Sequence, residues 1–185
     1  KNNKFEFYEP NEPITKLIEL IGTKKNLLYI LSAANGIGKT TALVNLIRAF
    51  IFGPDNKFFK FPLFKEWPYP KRIRFVSEPS QIEEGGAFPT EVAIWWPRGR
   101  YTVFKDSKHY VKRYQANDWV LEVMTYEQDP KQHEGANLGA VFFNEPPPEN
   151  LWTPNISRLR AGGIAVVGMT PLTEAGWFFD RIVPR

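Results

Sequence analysis

Cysteine is absent from the 185-residue chain, which excludes disulfide frameworks, thiol nucleophiles and Cys-ligated zinc and is compatible with a reducing compartment. Histidine is nearly absent too: His109 and His133 are the only two, too few for a multi-His metal centre. Long hydrophobic runs are also missing. The longest, around Leu27–Leu31 and Ala140–Phe143, fall far short of the roughly 20 residues that span a bilayer. No charged-then-apolar leader follows Lys1, and an opening residue other than Met reads as a cut from a longer polypeptide. What remains is ordinary globular material, 43% hydrophobic and 24% charged, of a length that fits one domain spanning 1–185.

The net charge of +4 is unevenly placed. Arg98, Arg100, Lys105, Lys108, Lys112 and Arg113 face only Asp106 within one stretch, so that stretch alone carries +5. Tyr101, Phe104, Tyr110 and Tyr114 interleave with it. The pattern suits a strand pair with one solvated face or a surface that meets phosphates, and by itself it does not establish nucleic-acid binding. The 16 prolines, roughly twice the usual share, cluster at Pro10–Pro13, Pro54–Pro70 and Pro146–Pro154. These clusters predict loops.

Asn26–Ser32 is a short apolar run of strand formers that ends in a small-residue turn. From Thr40, the residues Leu43, Leu46, Ile47, Phe50 and Ile51 recur at helical spacing until Gly53-Pro54 stops them. Arg72–Ser77, Trp119–Thr125, Gly139–Asn144 and Gly163–Met169 predict further strands. Several are apolar on both faces, as central strands covered on both sides must be. A strand, a helix and then more buried strands predict an α/β fold with a largely parallel central sheet and helices on both faces.

Between the first strand and its helix runs Ala33-Ala34-Asn35-Gly36-Ile37-Gly38-Lys39-Thr40-Thr41. It fits the phosphate-loop pattern G-x-x-x-x-G-K-S/T except for Ala33 in place of the first Gly. Gly36 and Gly38 let successive N–H groups turn inward toward phosphate oxygens, and the helix N-terminus adds its partial positive charge. Lys39 is placed for the β- and γ-phosphates of ATP and the Thr40 hydroxyl for Mg²⁺. The bland alternative is a βα turn that happens to end in Lys-Thr. The strand before it and the helix after it favour a P-loop NTPase core.

Such a core needs an acid at the end of a neighbouring strand. Ala140–Phe143 followed by Asn144-Glu145 is the convincing candidate. Glu145 is placed to polarise an attacking water, the plainer alternative being a cap on the Pro-rich loop that follows. Asn144 stands at the metal position, where Asp is usual and a neutral amide contributes no charge. Either it is native and acts through water, or it is a substitution that slows turnover.

With these residues in view, the chain resembles the ATPase domain of bacteriophage terminase large subunits. The loop LSAANGIGKTT is similar to that family's atypical phosphate loop. Met124-Thr125-Tyr126-Glu127-Gln128-Asp129 with Gly135 resembles the segment before the acidic strand, and Phe142-Phe143-Asn144-Glu145-Pro146-Pro147 resembles the apolar-Asp-Glu-Pro-Pro string. Gly168-Met169-Thr170-Pro171-Leu172, followed by Gly176-Trp177-Phe178-Phe179-Asp180, looks like the coupling motif and its aromatic sequel. This last pair is the most discriminating.

The resemblance implies that Lys39 and Thr40 bind the triphosphate and Mg²⁺, with Ala34–Thr41 around them. It implies that Glu145 is the catalytic carboxylate and that Thr170 senses the γ-phosphate. Arg158 is the first choice for an arginine finger, acting in cis or on a neighbour, ahead of Arg160 and Lys131. The family's adenine-reading Gln has no counterpart, and Phe7-Tyr8-Glu9-Pro10 is the segment left to stack on the base or lie beside it. Implied partners are double-stranded DNA, a portal protein, the small terminase subunit and further copies in a ring. No membrane is involved, and the place of action is the host cytoplasm, at the procapsid portal. The family's lid and nuclease domain have no counterpart in these residues, and Glu83-Glu84 is a lone solvated pair, so DNA cleavage is not expected. Two other classes stay open: a nucleotide-binding module with little turnover, on account of Asn144, and a helicase-type core. Against the helicase, Pro146-Pro147 stand where its acidic motif usually continues with Ala or Cys.

Overall fold

The computed structural model describes residues 3–171 and 176–183. Leu172 of the coupling segment therefore lies outside the described residues. The elements in chain order are α1 (Glu12–Gly22), β1 (Leu28–Ser32), α2 (Lys39–Phe52), α3 (Pro62–Lys65), β2 (Arg72–Ser77), α4 (Pro79–Ile82), α5 (Ala87–Trp95), β3 (Thr102–Lys105), β4 (Val111–Ala116), β5 (Trp119–Thr125), β6 (Ala140–Asn144), α6 (Glu149–Ile156), β7 (Ile164–Met169) and α7 (Gly176–Arg181).

Among the described residues, seven strands form one sheet in the order β1-β7-β6-β2-β5-β4-β3. The five strands from β1 to β5 pair in parallel, and β4 and β3 extend the edge antiparallel. Parallel strands need crossovers, which here place helices on both faces. Side chains alternate accordingly: Phe75, Phe142 and Val166 enter the larger core beneath α1, α2 and α5. Val76, Phe143 and Val167 enter the opposite core with Phe178, against which Trp152 and Trp177 pack. Every residue of β6 and β7 is buried, which is why both read as continuous apolar runs. The expected α/β architecture with a mostly parallel sheet covered on both faces is the one observed.

The proline-rich stretches are not all loop. Pro13 opens α1, where the Asn11 side chain accepts from the Ile14 N–H as N-cap, and Pro62 opens α3. Proline suits the first helical turn because its missing N–H would have no partner there. Pro154 stands inside α6, at the cost of one helical hydrogen bond. The Arg98–Arg113 stretch forms the β3–β4 hairpin start, a strand pair at the sheet edge. Part of its charge is already engaged: Lys112 pairs with Asp106 at 3.3 Å, Lys105 lies 3.7 Å from Glu84, and Arg113 stacks over the Phe104 ring.

Two buried cations tie the layers together. Arg48 of α2, 1% exposed, bonds Asp55 at 3.0 Å and the Gly53 carbonyl at 2.8 Å. Arg74 of β2, 2% exposed, meets Glu122 of β5, the His133 carbonyl and the Asn155 side chain of α6.

Candidate functional site

The C-terminal ends of β1, β2, β6 and β7 converge with the N-terminus of α2 around a cavity of about 440 Å³. The loop after β1 is tied down at its start, where the Ala33 N–H donates to the Met169 carbonyl at 3.0 Å. Gly36 (φ +80°) and Gly38 (φ +85°) occupy the left-handed region, which a side chain would strain. A Cβ at Gly36 would meet no heavy atom and one at Gly38 only an ordinary contact. Conformation, not space, therefore selects glycine at both.

Lys39, 8% exposed, folds back on its own loop. Its ammonium donates to the Ala33 carbonyl (2.9 Å), the Ala34 carbonyl (3.1 Å) and Thr170 Oγ1 (3.1 Å). All three of its N–H donors are thus engaged. Thr170 Oγ1 in turn lies 2.7 Å from Glu145 Oε1 and 3.0 Å from Asn35 Oδ1, and its backbone N–H donates to Glu145 Oε2 at 2.7 Å. A hydroxyl has one proton. The shorter, charge-assisted bond to Glu145 takes it, so Asn35 is best served by presenting its amide N–H₂ to the hydroxyl.

Glu145 has φ +70°, an uncommon backbone state for a non-glycine residue and one that surrounding structure must hold. Its N–H donates to the Gly168 carbonyl at 2.7 Å. The Tyr126 hydroxyl lies within hydrogen-bond reach of the carbonyls of Asn144 (3.1 Å) and Glu145, and its one proton goes to the nearer, that of Glu145. Burial together with the charges of Glu78 and Glu145 drives the Tyr126 phenol well above its ordinary pKa, so it stays a donor. Asn144, 6% exposed, gives its amide to Ser77 Oγ at 3.3 Å.

Of the residues expected from sequence, the cavity is lined by Asn35, Gly36, Gly38, Lys39, Thr40, Thr41, Asn144 and Glu145. Thr170 joins them through its bonds to Lys39 and Glu145. Ala34 contributes through its carbonyl. Ile37 does not line the cavity, and its carbonyl accepts from Asn11 Nδ2 at 3.1 Å. Arg158 stands elsewhere: its carbonyl accepts from the Leu138 N–H, at the start of β6. At ~3.3 Å per residue that is roughly 15–20 Å from the strand tip. Lys39 is the only Lys or Arg lining the cavity among the described residues. Tyr8 is not free to stack on a base, because it is buried between Phe59 and Trp95. Phe7 of the same segment is 75% exposed.

Two lining acids, Glu78 and Glu91, had no part in the sequence reading. Glu78 follows β2, and Glu91 of α5 accepts from Trp95 Nε1 at 2.8 Å. Tyr126 was visible as part of a segment, not as the clamp on Glu145. A signal for Glu78 was present: Ser77-Glu78-Pro79 closes a buried strand just as Asn144-Glu145-Pro146 does.

A nucleotide triphosphate fits this donor set, with a glycine-bent loop, a helix N-terminus and a lysine. Among the described residues no three His, Cys, Asp or Glu gather as a metal cage. The cavity is lined by the oxygen donors of Thr40, Glu78, Asn144 and Glu145, and such donors suit Mg²⁺, which one or two protein groups hold with phosphate oxygens and water.

The strand order, the glycine-bent loop and the Lys39–Thr170–Glu145 chain define a P-loop NTPase fold. No protein-family model and no curated protein sequence matches the chain. Among solved structures it is similar to the large terminase ATPase domain of Thermus phage P74-26, with TM-score 0.61 and 13% identity over 96% of this chain and 71% of that one. It is also similar to the large terminase of a thermophilic bacteriophage in complex with ADP, with TM-score 0.53 and 14% identity over 88% of this chain and 38% of that one. The chain's fold is that of large-terminase ATPase domains.

Proposed function

We propose that the chain is the ATPase domain of a DNA-packaging motor, hydrolysing ATP with Mg²⁺ to drive double-stranded DNA into a procapsid. The observation that carries this is the Lys39–Thr170–Glu145 chain on a terminase-like fold: the coupling threonine bridges the phosphate lysine and the candidate catalytic carboxylate. Bound Mg²⁺ would neutralise charge between the β- and γ-phosphates, held by the Thr40 hydroxyl with Asn144 behind it through water. The Gly36–Thr41 amides would cradle the phosphates. Lys39 must release some of its present acceptors to reach them, which frees the Thr170 hydroxyl to follow. Glu145 would then orient and deprotonate the attacking water.

Among the described residues Lys39 is the one Lys or Arg lining the cavity, so a finger, if Arg158 supplies it, would act on a neighbouring subunit's site. Assembly as a ring on a portal protein, with the small terminase subunit and DNA, follows from the same reading. So does action in the host cytoplasm. Among the described residues no helix is long and apolar enough to cross a membrane.

The test is Mg-dependent ATP hydrolysis across protein concentration, with nucleotide binding measured in parallel. Lys39→Ala is expected to abolish binding. Glu145→Gln is expected to bind but turn over about 100-fold or more slowly. Activity rising faster than linearly with concentration supports a finger in trans. Asn144 and the engaged Glu145 carboxylate favour a second reading, a nucleotide-binding module with little turnover. Tight binding without phosphate release at any concentration would select it.

A further inference from the structure

Asn144 leaves the metal position of the nucleotide site without its usual charge, yet the site is not short of acid. Glu78 lines the same cavity as Thr40, Asn144 and Glu145. The sheet puts it there: β2 and β6 pair in parallel with Val76 opposite Phe143. The next step along that register sets Ser77 beside Asn144, where their side chains bond at 3.3 Å. Glu78 and Glu145 are the residues that leave β2 and β6 just beyond that pair, and both line the cavity. The negative charges of both carboxylates act on the same buried Tyr126 hydroxyl, which lies under the β6 tip.

The other acids are committed. Glu145 holds the Thr170 N–H and hydroxyl, and Glu91 holds Trp95. The Glu78 carboxylate makes no hydrogen bond or ion pair among the described residues. Although Glu78 is the N-cap of α4, it makes no side-chain cap bond there. Glu78 is exposed to solvent, and an uncommitted carboxylate lining the same cavity as a buried neutral amide at the position where such sites usually carry an acid is suited to supplying that charge.

We infer that Glu78 is the acid that holds the divalent cation of the nucleotide site, supplying from β2 the charge that Asn144 withholds on β6. The assignment rests on the nucleotide reading above. Thr40 and Asn144 provide neutral oxygens, and Glu78 provides the anion, directly or through a metal-bound water. The same placement leaves Glu145 free of the metal for its work as base.

The experiment is Mn²⁺ binding followed by electron paramagnetic resonance in the presence of ADP, with ADP binding measured separately in EDTA. The unmodified chain is compared with Glu78→Gln, Asn144→Asp, the double variant, and Glu84→Gln as a nearby acid that does not line the cavity. Glu78→Gln is expected to weaken Mn²⁺ binding about tenfold, the usual range for a lost metal-orienting group, while ADP binding in EDTA is unchanged. Adding Asn144→Asp to Glu78→Gln is expected to restore Mn²⁺ affinity, and Glu84→Gln to change nothing. ADP binding that is intact with Mn²⁺ affinity unmoved by Glu78→Gln overturns this assignment alone. An unmodified chain that binds no ADP, with or without Mn²⁺, overturns it together with the nucleotide reading.

Discussion

Thr170→Val removes one hydroxyl from the centre of the site and little else. That oxygen is 2.7 Å from Glu145 Oε1 and 3.1 Å from Lys39 Nζ, in a residue 8% exposed. Hydrogen bonds to charged groups contribute about 1.5–3 kcal/mol each. Both partners keep other bonds, however: Glu145 retains the Thr170 N–H, and Lys39 retains the carbonyls of Ala33 and Ala34. The loss therefore sits near the low end, about 2–3 kcal/mol in total. At roughly 2–4 °C per kcal/mol for a chain of this size, Tm should fall by about 4–12 °C. Thr170→Ser keeps the hydroxyl and loses one methyl, about 0.8 kcal/mol. Thermal unfolding followed by circular dichroism measures both. A double-mutant cycle with Glu145→Ala should return a coupling of about 1–2 kcal/mol, since the two side chains touch. If valine and serine destabilise equally, or the cycle shows no coupling, Thr170 does not bridge the lysine and the carboxylate.

Glu122→Ala strands the Arg74 guanidinium, which is 2% exposed and held by Glu122 at 2.9 Å; burial already depresses the pKa of Arg74, against the opposing pull of Glu122. An uncompensated buried charge costs about 3–5 kcal/mol, so chemical denaturation should show a loss of that size, and a loss below about 1 kcal/mol would refute the pairing. Replacing both partners, Arg74→Met with Glu122→Leu, should recover most of it. His133 is fully buried, and its pKa is lowered first by burial and then by Arg74, against the raising effects of Asn155, a Thr125 backbone contact and Glu122. The unfolded chain takes up this proton near pH 6.5 while the folded chain resists, so stability is whole above that pH and falls as pH drops below it. Between pH 6.5 and 5.5 the unmodified chain should lose up to about 1 kcal/mol more than His133→Gln; identical pH slopes would show that His133 does not titrate on unfolding.

The parts of this molecule legible in its sequence are those whose cause is local. Strands β1, β2, β5, β6 and β7 fall within one or two residues of the expected runs; β6 and β7 are the clearest, because burial on both faces leaves an apolar string. The helix at Lys39–Phe52 ends at Gly53-Pro54 as its signals required. The strand, glycine turn and helix from Leu28 to Phe52 were legible because they are consecutive in the chain. Other features depend on residues far apart in sequence. α1 and α5 were hidden, α1 by a proline cluster that opens a helix instead of breaking one, and α5 by an apolar face spread around its whole circumference. Tyr8 was open to a role at the base until Phe59 and Trp95 closed over it. Arg158 lies near Glu145 in sequence, yet α6 carries the chain back to the opposite end of β6.

The acidic tip shows most clearly why a linear string misjudges a sheet. Read along the chain, Asn144 is a lost charge in a motif that wants one. Read across the sheet, the tips of β2, β6 and β7 form one surface that carries Glu78, Asn144-Glu145 and Thr170, although 65 residues of chain separate Glu78 from Asn144. Electrostatics depends on distance and burial, not on which strand carries the carboxylate. A charge removed from β6 can therefore be supplied from β2 with the field at the cation largely kept. What cannot move so easily is the geometry of Glu145, whose strained backbone is pinned by Gly168 from one side and Tyr126 from below. On the proposed reading, the acid that holds the cation is thus the replaceable part of the site, and Glu145, proposed to aim the water, is the fixed one.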